Sequence, residues 1–202
     1  PEGCGKTTQL ALLADYLARQ GYTIYKTREP GGTSIGEQIR SVVHSLQNEE
    51  MDPRAEVLLY SASRAQLVFQ VIRPRLKAGE IVLCDRFYDS TLAYQGYGRG
   101  LDIEMLRQIT RFATGGLRPD LTLYLDVEPL VGLERHQRDE EAEWNRLDAL
   151  DLEFHRRVQA GYRQLIAEEP ERWVIIDGER PVEEVQAEVR AVVEGRLARR
   201  GT

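Results

Sequence analysis

The first eight residues, Pro1-Glu2-Gly3-Cys4-Gly5-Lys6-Thr7-Thr8, constrain this chain more than any other stretch. They match the tail of a phosphate-binding loop, G-x-x-x-x-G-K-[ST], with Gly5, Lys6 and Thr7 in the last three positions and the opening glycine due one position before Pro1. In such a loop successive backbone N–H groups converge on a di- or triphosphate. The lysine spans the outer phosphates, and the final hydroxyl, here that of Thr7, reaches Mg²⁺. The helix that follows adds its positive end. Residues Pro1 to Thr8 are therefore expected around a nucleotide's phosphates. The bland alternative is a Gly-rich cap before an amphipathic helix. The loop alone says only that a nucleotide binds.

Such a loop normally connects a central strand to a helix, and the rest of the chain has that rhythm. Leu10, Leu13, Ala14 and Leu17 recur at helical spacing and stop before Gly21. Residues 22–27 read as a short strand, and Pro30-Gly31-Gly32 as a loop that Thr33 or Ser34 closes by capping a helix. Asp52-Pro53 opens a longer helix, expected to run to about Ala78 with a kink at Pro74. Ile81–Cys84, Leu121–Leu125 and Trp173–Ile176 are apolar runs, each followed by a carboxylate (Asp85, Asp126, Asp177), as in strands buried on both faces of a parallel sheet. Helices are expected at about 102–114, 130–137, 151–168 and 182–197. The pattern predicts one α/β domain over residues 1–202: a three-layer, doubly wound parallel sheet of the P-loop NTPase type with helices on both faces. Five strands are expected, the first of them outside this sequence. Residues 135–148, dense in Arg, Asp and Glu, are read as a solvated helix end or a lid.

Composition narrows the partners. A net charge of −6 argues against a general nucleic-acid binder, although local arginines can still gather a small anion. The two cysteines, Cys4 and Cys84, are too few for a disulfide framework or a zinc site and suit a cytoplasmic location. No apolar run approaches the ~18 residues of a membrane span.

Several stretches, in order, resemble the bacterial thymidylate kinase (dTMP kinase) family over essentially the whole chain: PEGCGKTTQ, TREPGGT with GEQIR, LLYSASRAQ, CDRFYDSTLAYQGYGRG, PDLTLYLDV and FHRRVQAGY. The resemblance implies ATP and Mg²⁺ at Pro1 to Thr8, dTMP as acceptor, and a homodimer packed through helices; the apolar faces of helices 34–44 and 53–73 suit that packing and equally suit burial in the monomer core. Phosphoryl transfer asks mainly for positioning and charge neutralisation, for which arginine's planar fork is suited. Arg28, Arg40 and Arg86 are placed at or near strand ends. The resemblance puts Asp85, Arg86 and Arg40 at the acceptor phosphate, and Arg28 is equally open to plain salt bridging. Tyr60 and Arg64 lie four apart on one helix face, where the family stacks an aromatic ring on thymine and bonds its carbonyl. Tyr60 stands where phenylalanine is commoner. Thr91 and Gln95 are likewise four apart, and both can donate and accept toward a pyrimidine edge. By the same resemblance Tyr94 closes against the sugar where a 2′-hydroxyl would project, and Glu2 approaches the acceptor's 3′-hydroxyl. Phe87 departs from the tyrosine or histidine more often found there. Gly96, Gly98 and Gly100 are read as a flexible turn.

The phosphate loop carries no arginine, and family members of that kind bring basic lid residues onto ATP. Arg135, Arg138 and Arg146 are the candidates, Arg146 for ATP and Arg138, with Lys6 and Arg86, for catalysis. Two other readings compete: another nucleoside-monophosphate kinase on the same scaffold, and a nucleotide-binding switch. Against the switch, the chain lacks Asn-Lys-x-Asp, and Asp85 is followed by Arg86 rather than by glutamate.

Overall fold

The computed structural model describes residues 2–139 and 143–199. The predicted phosphate-loop residue Pro1 and positions 140–142 of the predicted lid lie outside the described residues. Helix α1 (Lys6–Arg19) begins at Gly5, whose φ of 83° is one a side chain would resist. Strand β1 (Ile24–Arg28) and helix α2 (Ser34–His44) follow, and the Thr33 hydroxyl accepts the Gly36 N–H to cap α2. Helix α3 (Pro53–Leu67) starts with Asp52 as cap and Pro53 in its first turn. It passes through a π-helical segment, Val68–Ile72, into α4 (Arg73–Lys77). The expected break near Pro74 is thus a widened turn just before it, while the chain stays helical. Strand β2 (Ile81–Asp85), α5 (Tyr88–Thr91), α6 (Ile103–Thr114), β3 (Thr122–Asp126), α7 (Pro129–Arg138), α8 (Leu152–Glu168), β4 (Trp173–Asp177) and α9 (Val182–Ala198) complete the order.

One sequence expectation is corrected. The stretch holding Gly96 and Gly98 is no turn; α5 runs on as a π-helical segment, Leu92–Gly98. The glycines there make room for neighbours. A Cβ on Gly96 would lie 2.3 Å from Ile103 Cδ1, and one on Gly98 would lie 2.6 Å from the Phe154 ring. Glycine was read as backbone freedom where it marks close packing.

The four strands among the described residues are parallel to their partners: β1 with β2, from Ile24 opposite Ile81 to Arg28 opposite Asp85, and β3 with β4, from Thr122 opposite Trp173 to Asp126 opposite Asp177. Among the described residues the two pairs do not bond to each other. Between β2 and β3 lies an apolar cavity of about 390 Å³ lined by both strands, by Leu10 and Leu13 of α1 and by Val189 and Val193 of α9. A buried brace spans the pairs: Arg172 grips Asp89 of α5 with both Nη atoms, at 2.8 and 2.7 Å, and donates to Thr122 Oγ1 of β3. Two larger apolar cores serve the two sides, with a smaller one around Leu67, Val68 and Ile72. Leu13, Leu17, Leu125, Ile176, Val185 and Val189 pack α1 and α9 on β3 and β4. Val57, Tyr60, Leu92, Tyr94, Phe154 and Tyr162 join α3, the π-helical segment and α8 beneath the carboxyl ends of the strands. Ligands of open α/β sheets bind at those ends.

Candidate active site

One cleft of about 640 Å³ opens there. Glu2, Gly3, Gly5, Lys6, Thr7 and Thr8 line it from the phosphate loop, Arg40 from α2, Tyr60 and Arg64 from α3, and Asp85 and Arg86 from the end of β2. Thr91, Tyr94 and Gln95 complete the wall. Residues from 2 to 95 in sequence thus meet around one space. Cys4, the loop's remaining described member, is buried below it, its Sγ 3.7 Å from Lys6 Nζ.

The loop is held from outside by close backbone packing. A Cβ on Gly132 of α7 would lie 2.4 Å from the Glu2 carbonyl oxygen, and one on Gly3 would lie 1.9 Å from that of Gly132. At its inner end, Thr7 Oγ1 donates to Asp85 Oδ2 at 3.2 Å, and Asp85 Oδ1 is buried with no partner. A hydroxyl beside a carboxylate with an unused buried oxygen is a hard oxygen pair that fits Mg²⁺. Among the described residues no cluster of three or more His, Cys, Asp or Glu is placed to hold a metal by itself. A metal here would therefore depend on the bound phosphates for further ligands.

Arg86 links the loop to the acceptor wall. Its backbone is left-handed, φ 66°, a conformation that strains a side-chain-bearing residue and recurs at functional sites. Its Nη2 reaches both oxygens of Glu2, at 2.6 and 2.7 Å, and Nη1 donates to Tyr94 Oη, which in turn donates to Glu2 Oε1 at 2.7 Å. Burial pushes the Glu2 carboxyl up, but the charges of Arg86 and Lys6 outweigh it and hold the group well below its usual range. Glu2 is thus an anion set among the cations that a phosphate would meet.

The wall expected to read the base is built from two facing helical stripes, Glu56, Tyr60 and Arg64 on α3 and Thr91, Gln95 and Arg99 across from it. Arg64 is 2% exposed. Its Nε and Nη2 both bind Glu29 Oε2, at 2.8 and 2.6 Å, its Cζ lies 5.8 Å from the centre of the Phe87 ring, and its Nη1 is left without a partner. Glu56, fully buried, accepts from Gln95, Arg99 and Arg146.

The lid candidates part company. Arg135 lines the cleft and donates to the Gly178 carbonyl at 3.0 Å. Arg138 is 79% exposed along its side chain, pairs with Glu134 and lies outside the cleft. Arg146 is buried against Glu56 and Met51, so the structure turns it toward the acceptor wall and away from the phosphate loop. Arg28 pairs with Glu37 at 2.9 Å at the cleft rim.

A thymidylate kinase family model matches residues 1–189. The chain is 54% identical to thymidylate kinase of Roseiflexus castenholzii, over 98% of this chain and 91% of that one. It is 52% identical to that of Deinococcus radiodurans, over 97% and 94% respectively. The crystal structure of thymidylate kinase from Ehrlichia chaffeensis superposes with a TM-score of 0.78 at 33% identity, over 96% of this chain and 94% of that one. The chain belongs to the thymidylate kinase family.

Within this thymidylate kinase fold, four residues at or beneath the cleft, Glu29, His44, Glu56 and Glu143, lie beyond the sequence expectations. Glu29 and Glu56 anchor the base wall from beneath. Glu143 pairs with Arg40, the residue expected at the acceptor phosphate: Arg40 Nε donates to Glu143 Oε2 at 3.2 Å while Arg40 Nη1 holds the Pro30 carbonyl. His44 sits 3.4 Å from the same carboxylate, and burial together with Arg40 pushes its pKa down to about 4, so the imidazole is neutral near pH 7. The stripe 56, 60, 64 was a usable signal, since a glutamate four residues before a core tyrosine must find a buried partner.

Proposed function

We propose that this chain transfers the γ-phosphoryl group of ATP to dTMP, giving ADP and dTDP. The observation that carries the reading is the single cleft in which a phosphate loop, Arg86 and the Tyr60–Arg64–Gln95 wall meet. Lys6 and the loop N–H groups bind the donor phosphates. Thr7 and Asp85 would hold Mg²⁺, which neutralises phosphate charge when bound. Arg86 and Arg40 bind the acceptor phosphate, and Tyr60 and Phe87 flank the base. Tyr94 packs where a ribose 2′-hydroxyl would project, and Glu2 receives the 3′-hydroxyl. No general base is required, because the attacking phosphate oxygen is already anionic. Binding the two anions side by side, with water excluded, supplies proximity and charge balance, the main demands of this transfer. The role read for Arg138 requires the end of α7 to swing toward Lys6. Arg135 already lines the cleft that holds Lys6, and Arg146 instead supports the acceptor wall.

We further read the chain as a homodimer acting in the cytoplasm. Its two cysteines are unbridged, and no described helix is long and apolar enough to cross a membrane. Ile35 and Val42 of α2, Leu58 of α3 and Phe69, at 76% exposure, offer apolar surface for a partner. The deciding test is an ADP-release assay across dTMP, dUMP, dCMP, dAMP and dGMP. Preference for dTMP is expected; preference for dCMP, or ATP hydrolysis indifferent to every acceptor, overturns the reading.

A further inference from the structure

The polarity of the base-reading wall is set from below. A glutamine amide can show a base either its carbonyl or its NH₂, and the two faces select opposite partners. Gln95 is 2% exposed and lines the cleft. Its Nε2 is bound 2.8 Å from Glu56 Oε1, a carboxylate that also faces Arg99 Nη2 at 3.1 Å and Arg146. A carboxylate between two guanidinium groups offers acceptors only, so the amide nitrogen must turn to it. That leaves the Gln95 carbonyl oxygen for the cleft. Arg64, which can only donate, lines the same cleft, its Nε and Nη2 held by Glu29 and its Nη1 buried without a partner.

The wall therefore shows both a donor and an acceptor. Thymine's edge answers with the O4 acceptor and the N3–H donor, whereas cytosine shows the reverse, an N4 donor beside an N3 acceptor. We infer that Glu56 is a specificity-positioning residue: by fixing the Gln95 amide it makes the site read a pyrimidine N3–H and reject cytosine. This rests on the thymidylate reading above and adds to it a residue that never touches the nucleotide.

The experiment compares kcat/KM for dTMP and dCMP in wild type, Glu56→Gln, Glu56→Asp, Gln95→Leu and the Glu56→Gln/Gln95→Leu double variant. Glu56→Gln can accept or donate and frees the Gln95 amide to turn. Its dTMP-over-dCMP ratio should fall about tenfold, the worth of one polar match in a buried site. Glu56→Asp keeps the charge for Arg99 and Arg146 but withdraws the acceptor from Gln95, and its ratio should fall likewise. In the Gln95→Leu background, Glu56→Gln should leave the ratio unchanged. A ratio that holds at the wild-type value, or that falls equally in both backgrounds, overturns the inference. A wild type that does not use dTMP overturns the proposed function instead. Side-chain ¹⁵N spectra of wild type, assigned with Gln95→Leu, give a check that needs no Glu56 variant. The Gln95 NH₂ should be protected from solvent exchange before any nucleotide is added, and rapid exchange would also overturn the inference.

Discussion

Replacing Arg64 with methionine tests whether the base wall stands on a buried charge pair. Both members are almost fully buried, at 2% and 4% side-chain exposure, and the two guanidinium contacts fall on one oxygen, Glu29 Oε2, leaving Oε1 without a partner. Burial raises the Glu29 pKa above its ordinary value even against the pull of Arg64. Methionine keeps most of the side-chain volume and strands the carboxylate, a loss of about 3–5 kcal/mol for breaking a buried pair. For a chain of this size that is roughly 6–20 °C in Tm. The variant should also acquire a pH signature. Without the guanidinium, Glu29 titrates higher still in the folded state. A carboxyl raised above its unfolded value contributes stability that is present at low pH and lost as pH rises through the folded pKa. The deficit should therefore be smaller near pH 5 than near pH 8, as measured by calorimetric unfolding at both. Adding Glu29→Gln should recover most of the stability without recovering the KM for dTMP. A deficit under about 1 kcal/mol that does not change with pH would refute the reasoning, because surface pairs behave that way.

Gly132→Ala should leave the fold intact but displace the phosphate loop, since its Cβ would meet the Glu2 carbonyl at 2.4 Å. The KM for ATP should rise more than that for dTMP in steady-state kinetics. Asp148 is pushed up to about 6 by burial, then by repulsion from Glu2, against its bonds to the Asn145 N–H and His136. Its contribution is present below the unfolded pKa and lost as pH rises through about 6. Asp148→Asn should remove that slope, roughly 1–3 kcal/mol between about pH 4 and 7, in a series of thermal melts. Glu143→Gln should lower the KM for dTMP a few-fold, roughly the value of an exposed ion pair, because Arg40 would no longer be shared. An unchanged KM would show that Arg40 does not bind the acceptor phosphate.

Chemistry that is local in sequence was legible. A phosphate loop is made by one short run of backbone, and its glycines and Lys6-Thr7 announce it. Helix-face spacing likewise puts Tyr60 with Arg64 and Thr91 with Gln95. What sequence hid were the supports, because the partners sit far apart along the chain: Arg64 finds Glu29 35 residues away, and Gln95 finds Glu56 39 away. Spacing cannot tell which of many carboxylates a buried arginine chooses. The lid arginines illustrate the same limit, since Arg146 has a partner 90 residues distant that no local pattern names. At Gly96 and Gly98 the failure was of another kind: glycine serves both turns and tight packing, and only the positions of Ile103 and Phe154 decide which.

The Glu143 carboxylate on Arg40 bears on inhibitor discovery. An uncharged heterocycle that fills the space between Tyr60, Arg64 and Gln95 could leave that pair intact and need not compete with a carboxylate for a guanidinium. A phosphate-bearing mimic must first dislodge it. Screening collections of neutral compounds should therefore yield more hits against this cleft than its five lining arginines would suggest, and those hits should be less sensitive to salt than nucleotide analogues.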